Sequence, residues 1–365
     1  MLDVSQHADG NPGHQHWEGF WTDVLRSLHL RGLTETVDAV RQRWGGSRLL
    51  LGLDIVWCAL RYGAGFQDYR LFAFESLTGR QRRTYLTRGS NRRLVDRQNP
   101  KSLRFLLEDK GTFDRLFLSQ LGRPFLDLRV AGPEEFRSFW RAHPELVAKR
   151  PRGKCGRDVF FLPRQEPDDL YRELLERGAV LVEPRIHQHP ALDGLYPGSV
   201  NTARIVTLQT GDGPRILYAC LRMGNGTPVD NLDAGGLCAP LDLTTGCVTQ
   251  PAGDKRGGCF PRHPVTGTQI PGFCLPDWQA AKTMVLEAAQ QVPGLGYCGW
   301  DVCFLPDRPA LMEGNAYPSH ALVQMQVHRS ADGLGLLPEI RRLLRQSSPA
   351  GPSVPPEGSP APFSG

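Results

Sequence analysis

The chain is 365 residues long, 40% hydrophobic and 22% charged, with a formal net charge of +5 at neutral pH. That length supports two or three structural units with a sizeable buried core, and the composition is that of an ordinary soluble globular protein. The mild positive charge is dispersed along the chain, which argues against a dedicated nucleic-acid surface and fits anionic small molecules better.

The first stretch, Met1–His16, is polar and lacks an apolar h-region, so it does not read as a secretory signal. Trp17–Trp44 reads as helical, because Trp21, Val24, Leu25, Leu28 and Leu30 recur near helical spacing and Gly45-Gly46 stops the pattern. Leu49–Leu60 is the most apolar run, but Asp54 interrupts it and it falls well short of the roughly 20 residues of a membrane span. Gly63–Arg70 marks a loop. Arg80–Lys110 is rich in arginine, which is either a solvated face or a flank turned toward phosphate.

From Asp109 the pattern changes to short alternating elements. Gly111–Leu121 reads as helix, Phe125–Val130 as strand, and Gly132-Pro133-Glu134-Glu135 as a helix start with acids in its first turn. Glu145–Lys149 is a strand ending on Lys149, followed by the loop Arg150–Asp158 and a return strand Val159–Leu162. Pro167–Arg177 is a helix and Ala179–Pro184 a strand stopped by its proline, an edge strand if taken alone. Two more strands, Ala203–Gln209 and Arg215–Arg222, flank the turn Thr210–Pro214, and the turn-rich Val248–Phe273 precedes an amphipathic helix, Asp277–Gln291. The Ser-, Pro- and Gly-rich tail Gln346–Gly365 has little to bury and reads as disordered. Hairpins mixed with crossing helices give an α+β class with antiparallel sheet. Nine cysteines without a CxxC pair read as reduced, mostly buried residues of a cytoplasmic protein with no structural zinc.

The chemistry concentrates in one hairpin. Gly299–Phe304 and Ala310–Asn315 are alternating segments around the turn Pro306-Asp307-Arg308-Pro309. Paired as antiparallel strands, they place Asp301, Glu313 and Asn315 on one face. Such a cluster of like charges is costly unless a cation sits in it, and hard oxygen donors suit magnesium, which commonly arrives with a nucleotide phosphate. A solvated hairpin whose acids never meet is the other reading of these residues alone. Upstream, Lys149–Asp158 combines small residues with cations, a pattern able to cradle phosphate; a solvent-exposed turn is the alternative. Arg204 and Arg222 stand at strand ends, where their forked donors can hold phosphoryl charge. The chain contains no GxxxxGK[ST], GxSxG or HExxH pattern.

The order of these features resembles the ATP-grasp superfamily. Ser199–Arg204 (SVNTAR), Val229–Gly236 (VDNLDAGG), His263–Gly267 (HPVTG) and Gly299–Asp301 with Glu313–Asn315 resemble, more narrowly, its sugar-transfer-associated, α-L-glutamate-ligase-related group. The resemblance spans roughly Tyr69 to Leu344. It implies an ATP-grasp fold, two α+β subdomains whose antiparallel sheets hold ATP between them, preceded by a mainly helical N-terminal region. The implied division is 1–68 helical, 69–345 ATP-grasp (lid-bearing part about 110–184, metal-bearing part about 185–345), and a tail from 346.

Carried over position by position, the resemblance implies that Lys110 and Lys149 contact nucleotide phosphates and that Gly153, Lys154 and Gly156 form a lid over them. Glu183, with the backbone around Val182 and Pro184, would hold adenine or ribose. Arg204, Arg222 and Asn231 would line the reacting end, and Asp301, Glu313 and Asn315 would bind magnesium, or manganese in its place. The implied activity is an ATP- and magnesium-dependent, ADP-forming ligase. It would activate a carboxylate as an acyl-phosphate for attack by an amine or another nucleophile such as a hydroxyl, in peptide, cell-surface polysaccharide or secondary-metabolite synthesis. A phosphotransferase using the same site and a non-catalytic nucleotide-binding module are the alternatives. Two features depart from the group: Cys155 sits in the lid stretch, and the N-terminal region has no recognisable α/β unit.

Overall fold

The computed structural model describes residues 30–150, 159–163, 165–179 and 181–346. The lid stretch Gly153, Lys154, Cys155 and Gly156, the first part of the expected Trp17–Trp44 helix, and the tail beyond Gln346 lie outside the described residues.

The chain begins with helices. Here α1 (Leu30–Trp44), α2 (Arg48–Tyr62) and α3 (Phe66–Leu71) pack around Val37, Val40, Ile55, Cys58, Tyr69, Phe72 and Phe74. The expected loop at Gly63–Arg70 is therefore mostly helix: Gly63, at φ 65°, caps α2, and Asp68 caps the start of α3 by accepting from Gly65 N at 2.9 Å. Next come α4 (Arg88–Gln98), begun by a reciprocal Thr87–Ser90 cap, and α5 (Lys110–Leu116). No helix among the described residues is long and apolar enough to cross a membrane.

Two antiparallel sheets follow. The smaller contains β1 (Leu126–Asp127), β2 (Leu146–Lys149), β3 (Val159–Phe161) and β4 (Leu181–Pro184) in the order β1-β4-β2-β3. It is backed by α6 (Pro133–Ala142) and α7 (Pro167–Glu176), which bury Phe136, Leu170 and Leu174 against Ala148 and Val182. The segment that reads as an edge strand is thus interior: Val182 pairs with Leu126 on one side and Ala148 on the other, because the short β1 covers the start of β4.

After α8 (Pro190–Leu195) comes the larger sheet. It is built from β5 (Thr202–Thr210), β6 (Gly213–Met223), β7 (Leu237–Pro240), β8 (Ala252–Gly253), β9 (Cys259–Phe260), β10 (Tyr297–Phe304) and β11 (Pro309–Asn315), in the order β11-β10-β5-β6-β7-β8-β9. One face rests on α9 (Trp278–Gln291), with Ala281, Val285 and Ala288 packed on Ala203, Ile205, Leu221, Trp300 and Val302. The other face is half core and half site. Toward one end Val206, Leu208 and Tyr297 pack on α4 and on α10 (Leu337–Gln346); toward the other end the same face carries Thr202 and Arg204. Period-two alternation, broken by bulges after Val206 and Asp301, thus produces a dry half and a polar half on one surface.

The cysteine expectation needs correcting. Cys247 and Cys274 form a disulfide across an isolated antiparallel bridge. They are 27 residues apart, and only the return of the turn-rich segment brings them together. Cys58, Cys220, Cys238, Cys298 and Cys303 are free and buried as expected, Cys259 is free but exposed, and Cys155 lies outside the described residues. For a loop of that length, replacing both bridged cysteines by serine is expected to cost about 3 kcal/mol. Thermal unfolding of the oxidised protein against the double variant measures the difference.

Candidate active site

The two sheets face each other across a cleft lined by Lys110, Lys149, Glu183, Arg222, Asp230, Asn231, Asp301 and Glu313, with apolar walls from Val147, Val159, Phe161, Ile186 and Met312. Strand register builds its charged floor. Glu313 on β11 lies directly opposite Asp301 on β10, and Asp301 lies opposite Arg204 on β5. Thr202, two residues from Arg204, pairs with Arg222 on β6. Five polar side chains thereby share one sheet face.

Asp301 is 3% exposed and fully engaged. Its Oδ1 accepts from Arg204 Nε, and its Oδ2 accepts from Arg204 Nη2 at 2.9 Å and Arg222 Nη1 at 2.7 Å. Burial opposes its ionisation, but the Arg204 and Arg222 guanidiniums outweigh it and hold the carboxyl well below the usual carboxylate range. Glu313 goes the other way: burial and then the Asp301 charge push its carboxyl up, and the two carboxyl groups share a hydrogen bond. Arg222 also donates to Asp230 Oδ1 at 2.7 Å, and Asp230 accepts from Thr202 Oγ1. Asn315 follows Glu313 on the same face, opposite Gly299, and its buried Nδ2 has no hydrogen-bond partner.

That donor set fits a hard divalent cation. Asp301 and Glu313 would offer carboxylate oxygens within one cross-strand pair once a cation displaces arginine donors from Asp301, and a rotated Asn315 amide would present its oxygen in place of the unpartnered Nδ2. Among the described residues no group of three His, Cys, Asp or Glu side chains gathers as a metal site.

The opposite wall belongs to the small sheet. Lys149 Nζ donates to Glu183 Oε2 at 2.7 Å, and Arg123 Nε donates to the same oxygen at 2.7 Å. Arg123 also reaches the large sheet, donating from Nη1 to Leu311 O at 2.8 Å. Burial opposes Glu183 ionisation, but Arg123 and Lys149 keep its carboxyl well below the usual range. Asp114 on α5, unremarked in the sequence, lies beside it; burial and the Glu183 charge raise its pKa to about 7. Because the folded pKa lies above the unfolded 3.8, Asp114 favours folding below about pH 4, and that contribution is lost as pH rises through 7. Asp114→Asn is therefore expected to stabilise the fold by about 1–3 kcal/mol at pH 8 and not at pH 4, read from urea unfolding at the two pH values.

Of the site residues named from sequence, Lys110, Lys149, Glu183, Arg222, Asn231, Asp301 and Glu313 line the cleft. Arg204 lies beneath it as a partner of Asp301, while Val182 is buried in the small sheet's core with its side chain turned from the cleft. Pro184 pairs with Leu146 at the end of β4. Glu183 is 1% exposed and already committed to Arg123 and Lys149, so its side chain offers little to a ribose. Asn231 uses its Oδ1 to cap a helical turn through Asp233 N at 2.8 Å. Thr202, Arg123 and Asp114 carry no functional signal in the sequence, and Asp230 is readable there only as part of a loop that could close near the substrate. Asp230 sits in the quoted VDNLDAGG stretch, where the motif itself was the available signal.

The other quoted motifs shape the site from behind. Asn201 is wholly buried; its Nδ2 donates to Tyr196 O at 2.7 Å and its Oδ1 accepts from Gly224 N at 3.2 Å. His263 stacks on Tyr196 and, with Nδ1 accepting from Val265 N, donates from Nε2 to Gly224 O at 2.8 Å. A Cβ on Gly224 would stand 2.4 Å from Ser199 Oγ, so only glycine permits this approach. SVNTAR and HPVTG thus clamp the chain between Arg222 and Asp230.

A family profile described as "Sugar-transfer associated ATP-grasp" matches residues 170–342. No curated protein matches the chain. Solved structures similar to it include the ATP-grasp ligase PsnB complexed with minimal precursor, Mg and ADP (14% identity, 73% of this chain and 69% of that one, TM-score 0.40). The D-cycloserine synthetase DcsG (16%, 69% and 77%, 0.42) and a D-alanine–D-alanine ligase from Bacillus anthracis (13%, 66% and 67%, 0.38) are others. The overlays are loose in each case. The profile match covers the SVNTAR, VDNLDAGG, HPVTG and EGN stretches, and two antiparallel sheets facing across a charged cleft, after a helical N-terminal region, are the ATP-grasp fold.

Proposed function

We propose that this chain is an ATP- and magnesium-dependent ligase that activates a small-molecule carboxylate as an acyl-phosphate and passes it to an amine or hydroxyl, with release of ADP and phosphate. The observation carrying this reading is that Lys110, Lys149, Arg222, Asp230, Asp301 and Glu313 converge from both sheets on one cleft with apolar walls. The apolar walls suit a purine ring, and the cations suit its phosphates.

Asp301, Glu313 and Asn315 would hold magnesium, which supplies charge neutralisation between phosphate oxygens when bound. The chain's own side chains do the rest. Lys149 exchanges Glu183 for phosphate, while Arg123 stays on Glu183 and keeps it ionised. Arg222 stabilises charge that develops on the transferred group, and Asp230 with Thr202 fixes its direction. No side-chain nucleophile is required, since positioning and charge neutralisation carry the reaction.

Use of ATP carries the cytoplasmic placement in this reading, and the Cys247–Cys274 disulfide, a bond that reducing compartments disfavour, is the observation set against it. The test is ADP and phosphate release with pools of carboxylates and amines, followed by product analysis. An amide or ester with free phosphate supports the ligase; a stable phosphorylated acceptor favours a phosphotransferase; MgATP binding without turnover in any pool leaves a binding module.

A further inference from the structure

The helix α2 turns an unpartnered apolar face to solvent. Leu49, Leu50, Leu53 and Trp57 are 71%, 67%, 59% and 56% exposed, Leu60 is 36% exposed, and Trp44 at the end of α1 adds another 58%. At about 100° per residue the five α2 side chains fall in one arc about 100° wide. Ile55, Cys58 and Ala59 occupy the opposite side and are buried. Single exposed leucines are ordinary, but a continuous stripe three turns long with two tryptophans is the pattern of a packed helix face. None of these residues lines the cleft.

We propose that this face is covered by a second copy of the chain, in a two-fold dimer with α2 packed antiparallel on its symmetry mate. A crossing centred on Leu53 sets Leu49 and Leu50 of one copy against Trp57 of the other, and the same contact recurs across the axis, so the stripe is complementary to itself. The six side chains leave on the order of 700 Å² of apolar surface in water, so the pair buries roughly 1,400 Å², inside the range of about 1,200–2,000 Å² for stable interfaces. Trp57 is the expected anchor.

The chain's own N-terminal segment is the nearest rival, because Trp17, Phe20, Trp21, Val24, Leu25 and Leu28 repeat at helical spacing. That segment lies outside the described residues, so the paired substitutions below separate it from a second copy as the occupant of this face.

Sedimentation velocity of the full chain from 0.5 to 50 µM, as a rough working range for interfaces of this size, is expected to show a dimer. Leu53→Glu with Trp57→Glu is expected to give a monomer of unchanged melting temperature and unchanged ATP turnover; should that variant unfold, Leu49→Lys serves in its place. Trp21→Ser with Leu25→Ser is expected to leave the dimer intact. A wild-type monomer across the range, whether free or pelleting with phospholipid vesicles, overturns the proposal. So does a dimer indifferent to the α2 substitutions, or one dissociated by Trp21→Ser with Leu25→Ser.

Discussion

Glu313→Gln is expected to lower ATP turnover about 10³-fold while making the nucleotide-free protein more stable. The two signs come from one cause. Glu313 is buried opposite Asp301, and both burial and the Asp301 charge raise its pKa. A raised folded pKa means that its contribution to stability is present at low pH and lost as pH rises through that value. Glutamine keeps the shape and the donor to Asp301 but has no proton to lose, so a gain of about 1 kcal/mol should appear at alkaline pH and vanish at acid pH. The charge needed for a cation is gone, and turnover falls. A merely damaged fold would lower both quantities. Turnover within tenfold of wild type would remove Glu313 from the proposed metal site.

Arg222→Met should be the most destabilising change in the cleft. Arg222 bridges Asp230 and Asp301, both buried, and its loss strands two carboxylates with Arg204 alone facing one of them. Breaking a buried pair in this way costs about 3–5 kcal/mol. Adding Asp230→Asn removes one stranded charge, so the double variant should recover much of the stability in urea unfolding. Turnover should not recover, because the forked donor facing the cleft is still absent. If the double variant regains wild-type turnover, Arg222 only neutralises Asp230.

The hairpin was legible because its chemistry is local. Two alternating segments around a four-residue turn announce the pairing, but unbroken period two from that turn would set Met312 opposite Asp301; the bulge after Asp301 is what brings Glu313 and Asn315 onto its face. What Asp301 touches was less local: Arg204 and Arg222 were readable as strand-end arginines, but their capture by one carboxylate depends on β5 lying between β10 and β6. Arg123, Asp114 and Glu183 come from α5, a loop and β4, and no spacing in the chain announces that they meet. The edge reading of β4 failed because the strand at Phe125–Val130, though readable as one, carries no sign in the sequence of the strand it pairs with. The disulfide was invisible for a related reason, since its register is set by a turn-rich stretch without periodicity.

Arg123 has a mechanical consequence. It holds Glu183 of the small sheet and Leu311 O of the large one, and nearby His189 N donates to Phe304 O at 2.7 Å. Both ties sit at the turn end of the β10–β11 hairpin, so the sheets are pinned at a corner. Bodies pinned at a corner part by swinging, with displacement growing with distance from the pin. Glu183 stays nearly still during such a swing, while Phe161, on the outer strand β3, travels furthest. If the cleft opens in this way, Lys149 would keep its bearings while the apolar wall moves, and access for a flat ring would be set by the far side of the cleft.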